Sequence, residues 1–172
     1  MVDDEEIIRQ QIHGFIKKQK PESEISDFST GEELLAAGRE FDIIFLDIQM
    51  EGMGGIEAAR TLRQRNADAV LVFITGIKEY VFEAFDVSAF HYLLKPIAEQ
   101  KFMEVLGRAA GEAGKRKVQK EQQIFIRTKN RGYTLNLSSI LYIENRGKKV
   151  EIHTTDMEEI IEAYATMEEL EG

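Results

Sequence analysis

The chain has 172 residues, of which 43% are hydrophobic, and this is enough apolar material for one ordinary domain and part of a second. It has no cysteine, which excludes disulfide bonds, thiolate metal sites and a cysteine nucleophile. The net charge is −9, no apolar run approaches the roughly 18 residues of a membrane span, and the amino terminus has no signal-peptide pattern, so we expect a cytoplasmic protein without membrane contact.

The first two thirds of the chain alternate between helical and strand patterns. Apolar residues at helical spacing predict helices at 5–19, 30–38, 54–65, 78–87 and 97–119. Continuous apolar runs predict buried strands at 42–48, 69–75 and 89–95, and alternation predicts another strand at 23–30. Strands that alternate with helices of roughly 10–15 residues indicate βαβ units, so the fold class is α/β with a doubly wound parallel sheet.

Polar side chains stand where the predicted strands end. Asp47, Thr75 and Lys95 follow three of the apolar runs, and Asp3 and Asp4 would end a first strand that is largely missing. In an open parallel sheet the ligand site lies at the carboxyl ends of the strands, so these five side chains should converge.

Each of the five has a local explanation when it is taken alone. The acidic pair could cap the first helix, Asp47 could be a loop acid, Thr75 a capping hydroxyl and Lys95 a solvated strand end. Their convergence favours a shared functional site over these local explanations. Three close carboxylates suit Mg²⁺, one carboxylate can attack phosphorus, and an ammonium and a hydroxyl can neutralise a phosphoryl group.

The motifs VDDEE, FLDIQMEGMGGIEAAR, VFITG and FHYLLKPI together resemble the receiver domains of two-component response regulators, over about residues 1–112. The resemblance implies the flavodoxin-like fold and makes Asp47 the phosphoacceptor. It implies that Asp4, Asp47 and the Gln49 backbone carbonyl bind Mg²⁺ directly, with Asp3 binding through water.

The same resemblance makes Thr75 and Tyr92 the switch pair and Lys95 the residue that contacts the phosphoryl group. The Lys95–Pro96 peptide bond is often cis in the family. Glu51 stands where the family usually has proline, and we expect it to loosen the loop after Asp47.

Residues 122–172 have a different pattern, with short alternating strands, turns near 129–132 and 145–148, and a predicted helix from about 163. Residues 115–149 carry ten basic and two acidic side chains, which taken alone could be a solvated face. The stretches ILYIENRGKKVEIHT and MEELE resemble the LytTR-type DNA-binding domain, of which we expect only an incomplete, mainly antiparallel β part. The resemblance places Arg146, Lys148 and Lys149 on a loop that faces DNA, with residues 113–121 as a helical linker.

The resulting hypothesis is a response regulator, not an enzyme, that a sensor histidine kinase phosphorylates on Asp47 to control dimerisation, DNA binding and transcription. Two alternatives stay open. The chain could act through protein–protein contacts alone, or as an aspartate-based phosphatase or phosphotransferase, although its short loops leave little room for a substrate-covering cap.

Overall fold

The structure is a computed structural model of the chain, and it describes residues 1–65, 68–128, 131–147, 149–155, 157 and 160–163. The chain divides into two compact units, Met1–Lys115 and Arg116–Gly172. None of the described helices combines the length and the apolar character that crossing a membrane requires.

The first unit has the alternating order that the sequence predicts. Its helices are α1 (Glu6–Gln19), α2 (Gly31–Ala36), α3 (Gly55–Gln64), α4 (Val81–Asp86) and α5 (Glu99–Glu121), the last of which continues into the second unit. Its strands are β1 (Ile43–Leu46), β2 (Val70–Thr75) and β3 (His91–Leu94). The segment 113–121, which the sequence predicts as a helical linker, lies within α5.

Local sequence explains where α2 begins and ends. The Thr30 hydroxyl accepts the N–H of Glu33 at 3.2 Å and so satisfies a donor that the first turn leaves free. The Glu33 carboxylate accepts the N–H of Ser29, the residue before the cap, at 2.7 Å. Gly38 follows the helix with a φ of 63°, a left-handed conformation that glycine adopts without steric cost.

The strands β1, β2 and β3 pair in parallel, in that order. Val2 extends the sheet beyond β1, because it forms parallel bridges to Leu46 on one side and to Phe28 on the other. Helices cover both faces, which makes the sheet doubly wound. One buried cluster joins it to α1 and α5 through Ile12 and Phe102, and the other joins it to α2 and α3 through Leu34 and Ala58.

The prediction of a strand at 23–30 is wrong. Only Phe28 pairs with the sheet, through its bridge to Val2, and no regular strand forms in this range. A strand needs a partner along its whole length, and the partner here is the short segment Met1–Asp3. Helix α4 is also shorter than predicted, because residues 78–80 precede its first turn.

The second unit is built from antiparallel strands, as predicted. One hairpin pairs β4 (Gln123–Arg127) with β5 (Gly132–Asn136), and a separate sheet has the order β6 (Ile140–Asn145), β7 (Val150–Thr154), β8 (Ile161–Ala163). Ile126, Leu135, Ile152 and Ile161 lie in its small buried core. The helix predicted from about residue 163 falls outside the described residues.

Candidate functional site

The polar residues at the strand ends occupy one edge of the parallel sheet. Asp47 follows β1, Thr75 is the last residue of β2, and Lys95 follows β3. The backbone ties these ends together, because the N–H of Asp47 donates to Val2 at 2.9 Å and the N–H of Lys95 donates to Thr75 at 2.9 Å. Asp3 and Asp4 follow the bridge at Val2 and therefore reach the same edge.

Three carboxylates meet at this edge. Asp3, Asp4 and Asp47 each place an oxygen within 4.8 Å of the others. Asp3 and Asp47 are buried, whereas Asp4 is exposed and opens the group to solvent. Carboxylate oxygens are the ligands that Mg²⁺ takes in proteins, so this donor set fits that ion.

Lys95 is the cation of the site. Its Nζ donates to Asp47 Oδ2 at 2.8 Å and to Glu5 Oε1 at 2.8 Å. Asp3 Oδ2 lies 3.0 Å from the same nitrogen, but not in a direction that makes a hydrogen bond, so this contact is an ion pair. The Lys95 ammonium thus neutralises part of the charge of the Asp3, Glu5 and Asp47 carboxylates.

Burial and charge act on the proton affinities of the site in opposite directions. Burial raises the pKa of Asp3, and the contacts with Lys95 and with the N–H of Glu5 offset only part of that effect. Burial alone would lower the pKa of Lys95, but its contacts with Asp47, Glu5 and Asp3 outweigh burial and raise it. Lys95 therefore stays protonated over the whole physiological range.

The loop after β1 fixes Asp47. The N–H groups of Ile48 and Gln49 donate to Asp47 Oδ1 at 2.6 and 3.3 Å, which leaves Oδ2 to Lys95. Farther along the loop, Glu32 Oε1 accepts the N–H of Met53 at 2.8 Å. The loop that contains Glu51 is therefore anchored from α2.

Thr75 and Tyr92 lie on neighbouring strands. The Thr75 hydroxyl is buried and has no hydrogen-bond partner among the described residues. The Tyr92 hydroxyl donates to the carbonyl of Ile77, in the loop that follows Thr75. Burial raises the pKa of Tyr92, and nearby carboxylates add to this effect, so the hydroxyl keeps the proton that it donates.

Comparison with known proteins identifies the family. Residues 1–107, more than half of the chain, match the response regulator receiver domain family. The chain belongs to this family. The response regulatory domain of mrkE from Klebsiella pneumoniae is a similar solved structure, with 29% identity and a TM-score of 0.62 over 66% of this chain and 95% of that one.

Relatives also extend beyond the receiver domain. The sensory transduction protein LytT of Oceanobacillus iheyensis is 27% identical over 99% of this chain and 72% of its own length. The transcriptional regulatory protein BtsR of Escherichia coli is 34% identical over 69% of this chain and 50% of its own length. These relatives confirm the resemblance to LytTR-type response regulators. The chain spans about half of the length of BtsR and about three quarters of the length of LytT.

In the second unit, the predicted DNA-facing residues are partly engaged by acids. Arg146 contacts Glu144 at 3.0 Å and Glu151 at 3.4 Å. Lys149 contacts Glu162 at 2.7 Å. Lys148 lies outside the described residues.

Two residues that contact the receiver site were not predicted from the sequence. Glu5 contacts Lys95, and Glu32 anchors the loop after β1. The position of Glu5, two residues after Asp3, is a signal that could have found it, because Asp3 already belongs to the acidic group. Glu32 carries no such signal, because it reaches the loop only through the packing of α2 beside α3.

Proposed function

We propose that this receiver is phosphorylated on Asp47 by a sensor histidine kinase. The observation that carries the proposal is the way Asp47 is held: its carboxylate is buried at a strand end, with Oδ1 fixed by the N–H groups of Ile48 and Gln49, and Oδ2 is 2.8 Å from Lys95 Nζ. A fixed carboxylate beside a cation is suited to attack phosphorus.

In the proposed reaction, an oxygen of Asp47 forms a bond to the phosphorus of the donor. The bond between phosphorus and the leaving group breaks, and its electron pair departs with that group. Lys95 moves from the carboxylate to the phosphoryl oxygens and neutralises charge there. The buried Thr75 hydroxyl, which has no partner among the described residues, supplies a further donor.

We place Mg²⁺ at the three carboxylates. Asp4, Asp47 and the Gln49 carbonyl would bind the ion directly and Asp3 through water. When bound, the ion would screen the repulsion between the carboxylates and the incoming phosphoryl group. Because Asp4 is exposed, this edge of the receiver is open to the ion and to the donor.

The proposed output follows from Thr75 and Tyr92. Movement of Thr75 toward the phosphoryl group leaves space that Tyr92 can enter, and Tyr92 already contacts the loop after Thr75. This would shift a two-state surface formed by α4, β3 and α5, and we propose that homodimerisation follows from the shift. The name of the relative BtsR, a transcriptional regulatory protein, supports transcriptional regulation as the purpose, and the basic segment 115–149 supports DNA binding. We propose that the protein does this in the cytoplasm.

The experiment is phosphorylation of the purified protein by acetyl phosphate with Mg²⁺, followed by intact-mass measurement. We expect one added phosphoryl group, lost in Asp47→Asn and retained in Asp86→Asn, which removes an exposed acid at the end of α4. Undiminished labelling of Asp47→Asn would overturn the assignment. Turnover of acetyl phosphate without retained label would instead favour the alternative of an aspartate-based phosphatase.

Dimerisation and DNA binding are tested separately, because a receiver can also act through protein–protein contacts alone. Sedimentation with beryllofluoride, a phosphoryl mimic, should show a shift toward dimer that Thr75→Ala reduces. An unchanged mass with the mimic would remove dimerisation from the proposal and leave the phosphoacceptor role of Asp47 intact.

A further inference from the structure

A second group of metal-ligating side chains lies in the second unit, on the sheet of β6, β7 and β8. Glu144, Glu151 and His153 each place one ligand atom within 4.8 Å of the others, and we call this set the β6–β7 cluster. Glutamate oxygens and imidazole nitrogens are both ligands that Zn²⁺ takes in proteins. Three protein ligands with a water molecule in the fourth position are a common arrangement around this ion.

The pairing of β6 with β7 brings the three side chains to one face of the sheet. Glu144 is directly opposite Glu151 in the register. Tyr142 is opposite His153. Side chains alternate between the two faces of a strand, so Glu151 and His153 share a face, whereas Ile152 between them lies in the buried core. The β6–β7 cluster is therefore on the face of the sheet away from that core.

The two glutamates of the cluster need a cation. Carboxylates directly opposite each other destabilise an antiparallel pair. The Arg146 guanidinium meets this need, because it lies 3.0 Å from Glu144 and 3.4 Å from Glu151. The Arg146 side chain is 59% exposed, so water and salt weaken its hold on the glutamates. Another cation can therefore compete with Arg146 for this position.

The imidazole of His153 is not explained by the contacts of Arg146. Its Nε2 atom is buried and makes no hydrogen bond with the described residues, and Glu144 Oε2 is 3.7 Å away. A buried polar atom without a hydrogen bond costs free energy. The Tyr142 ring stacks on the imidazole, with 4.2 Å between centroids and 18° between planes, and this contact holds the ring in its orientation. Nε2 is thus held beside the glutamates with its binding capacity unused.

The spacing of the cluster suits a tetrahedral ion. Two ligand atoms that are each about 2.1 Å from a tetrahedral Zn²⁺ are about 3.4 Å apart. His153 Nε2 and Glu144 Oε2, at 3.7 Å, are already close to this separation. Because all three ligand atoms lie within 4.8 Å, movement on the order of 1 Å completes the geometry, and rotation of glutamate side chains can supply it. Mg²⁺ takes oxygen ligands, so the imidazole selects Zn²⁺ instead.

We propose that Glu144, Glu151 and His153 bind one Zn²⁺ ion, with a water molecule as the fourth ligand, and that the ion displaces Arg146 from the two glutamates. Zinc binding itself is independent of the proposed phosphorylation of Asp47. Its consequence rests on the proposed function: the released Arg146 guanidinium becomes available to DNA phosphates, so Zn²⁺ strengthens DNA binding.

The first test is calorimetric titration of the full 172-residue protein with Zn²⁺, in excess Mg²⁺ that competes for the receiver carboxylates. We expect saturable binding that His153→Gln weakens at least about tenfold, since a ligand is lost. His13→Gln is the matched control, because His13 contacts Asp27 in the receiver, and it should bind Zn²⁺ as the unaltered protein does. Equal affinity of the unaltered protein and His153→Gln would overturn the proposal.

The ring resonances of the unaltered protein give a measurement that does not depend on the folding of a variant. The chain has three histidines, so their nuclear magnetic resonance signals can be assigned individually. On addition of Zn²⁺, we expect the ring signals of His153 to shift and those of His13 and His91 to stay. Unchanged His153 signals at saturating Zn²⁺ would overturn the proposal even if His153→Gln fails to fold.

A pair of arginine variants tests the displacement of Arg146. Arg146→Ala removes the competing cation and should bind Zn²⁺ more tightly than the unaltered protein. Arg60→Ala makes the same change in net charge at an exposed position of α3 and should not. Unchanged affinity in Arg146→Ala, or equal gains in both variants, would contradict binding of the ion by the two glutamates. These titrations contain no DNA, so their result does not depend on the proposed function.

Mobility-shift titration with duplex DNA tests the consequence separately. Zn²⁺ should strengthen DNA binding by the unaltered protein and have little effect on Arg146→Ala, because that variant has no guanidinium to release. Equal strengthening of both proteins would contradict the release of Arg146.

Discussion

At the residue scale, the receiver site places the Lys95 ammonium among several acids. Lys95 contacts Asp3, Glu5 and Asp47, but Asp3 is fully buried and retains a raised pKa, so its charge is not fully compensated. Buried charges that are incompletely paired cost stability, and they persist where a site needs them. The acidic group is therefore a source of instability that a bound cation would relieve.

This predicts that Asp3→Asn stabilises the protein when Mg²⁺ is absent. A raised folded-state pKa means that ionised Asp3 lowers the free energy of unfolding above its unfolded-state pKa, and asparagine removes that charge while still accepting the N–H of Glu5. At pH 7, thermal melting should show a higher midpoint for Asp3→Asn, and a smaller increase on adding Mg²⁺, than for the unaltered protein. Asp86→Asn is the control, and a lower midpoint in Asp3→Asn would contradict the prediction.

The amine of Met1 is a second buried ionisable group. Burial lowers its pKa from 8.0 to about 6, and Arg9 adds to this effect while Asp27 opposes it. The unfolded chain binds more protons than the folded chain between these values, so the free energy of unfolding should rise from pH 6 to pH 8. Two pKa units correspond to about 2–3 kcal/mol at most. Denaturant titrations over this range measure the rise.

The control for the Met1 prediction is the same protein with an acetylated amino terminus, confirmed by mass. Acetylation removes the titrating group, so this contribution to the pH dependence should disappear while the contributions of other groups remain. Identical pH profiles for the free and acetylated proteins would show that the Met1 amine is not protonated differently in the folded and unfolded states.

At the scale of elements, the end of β1 and the start of α3 are packed against each other without spare room. A Cβ atom on Gly55 would lie 1.9 Å from the carbonyl oxygen of Asp47, and the N–H of Gly55 donates to Ile48 at 2.9 Å. The glycine at the start of α3 therefore allows the helix to approach the strand end that carries Asp47.

Gly55→Ala should accordingly displace the loop that holds Asp47. We expect a loss of stability of about 1–3 kcal/mol, as for overpacking, and slower phosphorylation by acetyl phosphate. Gly14→Ala is the matched control, because Gly14 lies within α1 with open space around it and should stabilise the helix by about 1 kcal/mol. Normal stability and phosphorylation in Gly55→Ala would show that the contact relaxes without moving Asp47.

Helices and strands could be predicted where the apolar pattern of a single segment is enough to identify them. The buried strands β1 and β2, and the helix predicted at 30–38, could be read from the sequence and are confirmed. The segment 23–30 alternates like a strand, yet its pairing depends on a neighbour that its own sequence does not describe. The receiver site was predictable to the same extent. The positions of Lys95 and Asp47 at strand ends predicted that these two side chains meet. The contact of Glu32 with the loop after β1 could not be predicted, because it depends on how the helices pack.

At the scale of the whole molecule, the charge is strongly segregated along the chain. Residues 115–149 carry ten of the 22 basic side chains, although the net charge is −9. The described part of the second unit shows that some of these cations are held by acids of the same sheet, as Arg146 is by Glu144 and Glu151. Any attraction to DNA is therefore a competition between phosphates and these carboxylates.

We predict that the 172-residue protein binds duplex DNA weakly, without sequence preference, and less as salt increases. Arg146→Ala should weaken this binding and reduce the slope of log affinity against log salt by about 0.9, the value for one phosphate contact. Glu144→Gln should strengthen it, because the carboxylate 3.0 Å from the Arg146 guanidinium loses its charge. Mobility-shift titrations at two salt concentrations measure both effects.

The control for Glu144→Gln is Glu57→Gln, which makes the same change in net charge at an exposed position of α3 in the receiver. If release of Arg146 is the cause, Glu144→Gln strengthens binding, Glu57→Gln does not, and Arg146→Ala combined with Glu144→Gln loses most of the gain. Equal gains from the two glutamine variants would assign the effect to net charge alone. Discrimination between two DNA sequences of equal length would contradict the prediction of binding through phosphates, since base contacts specify sequence.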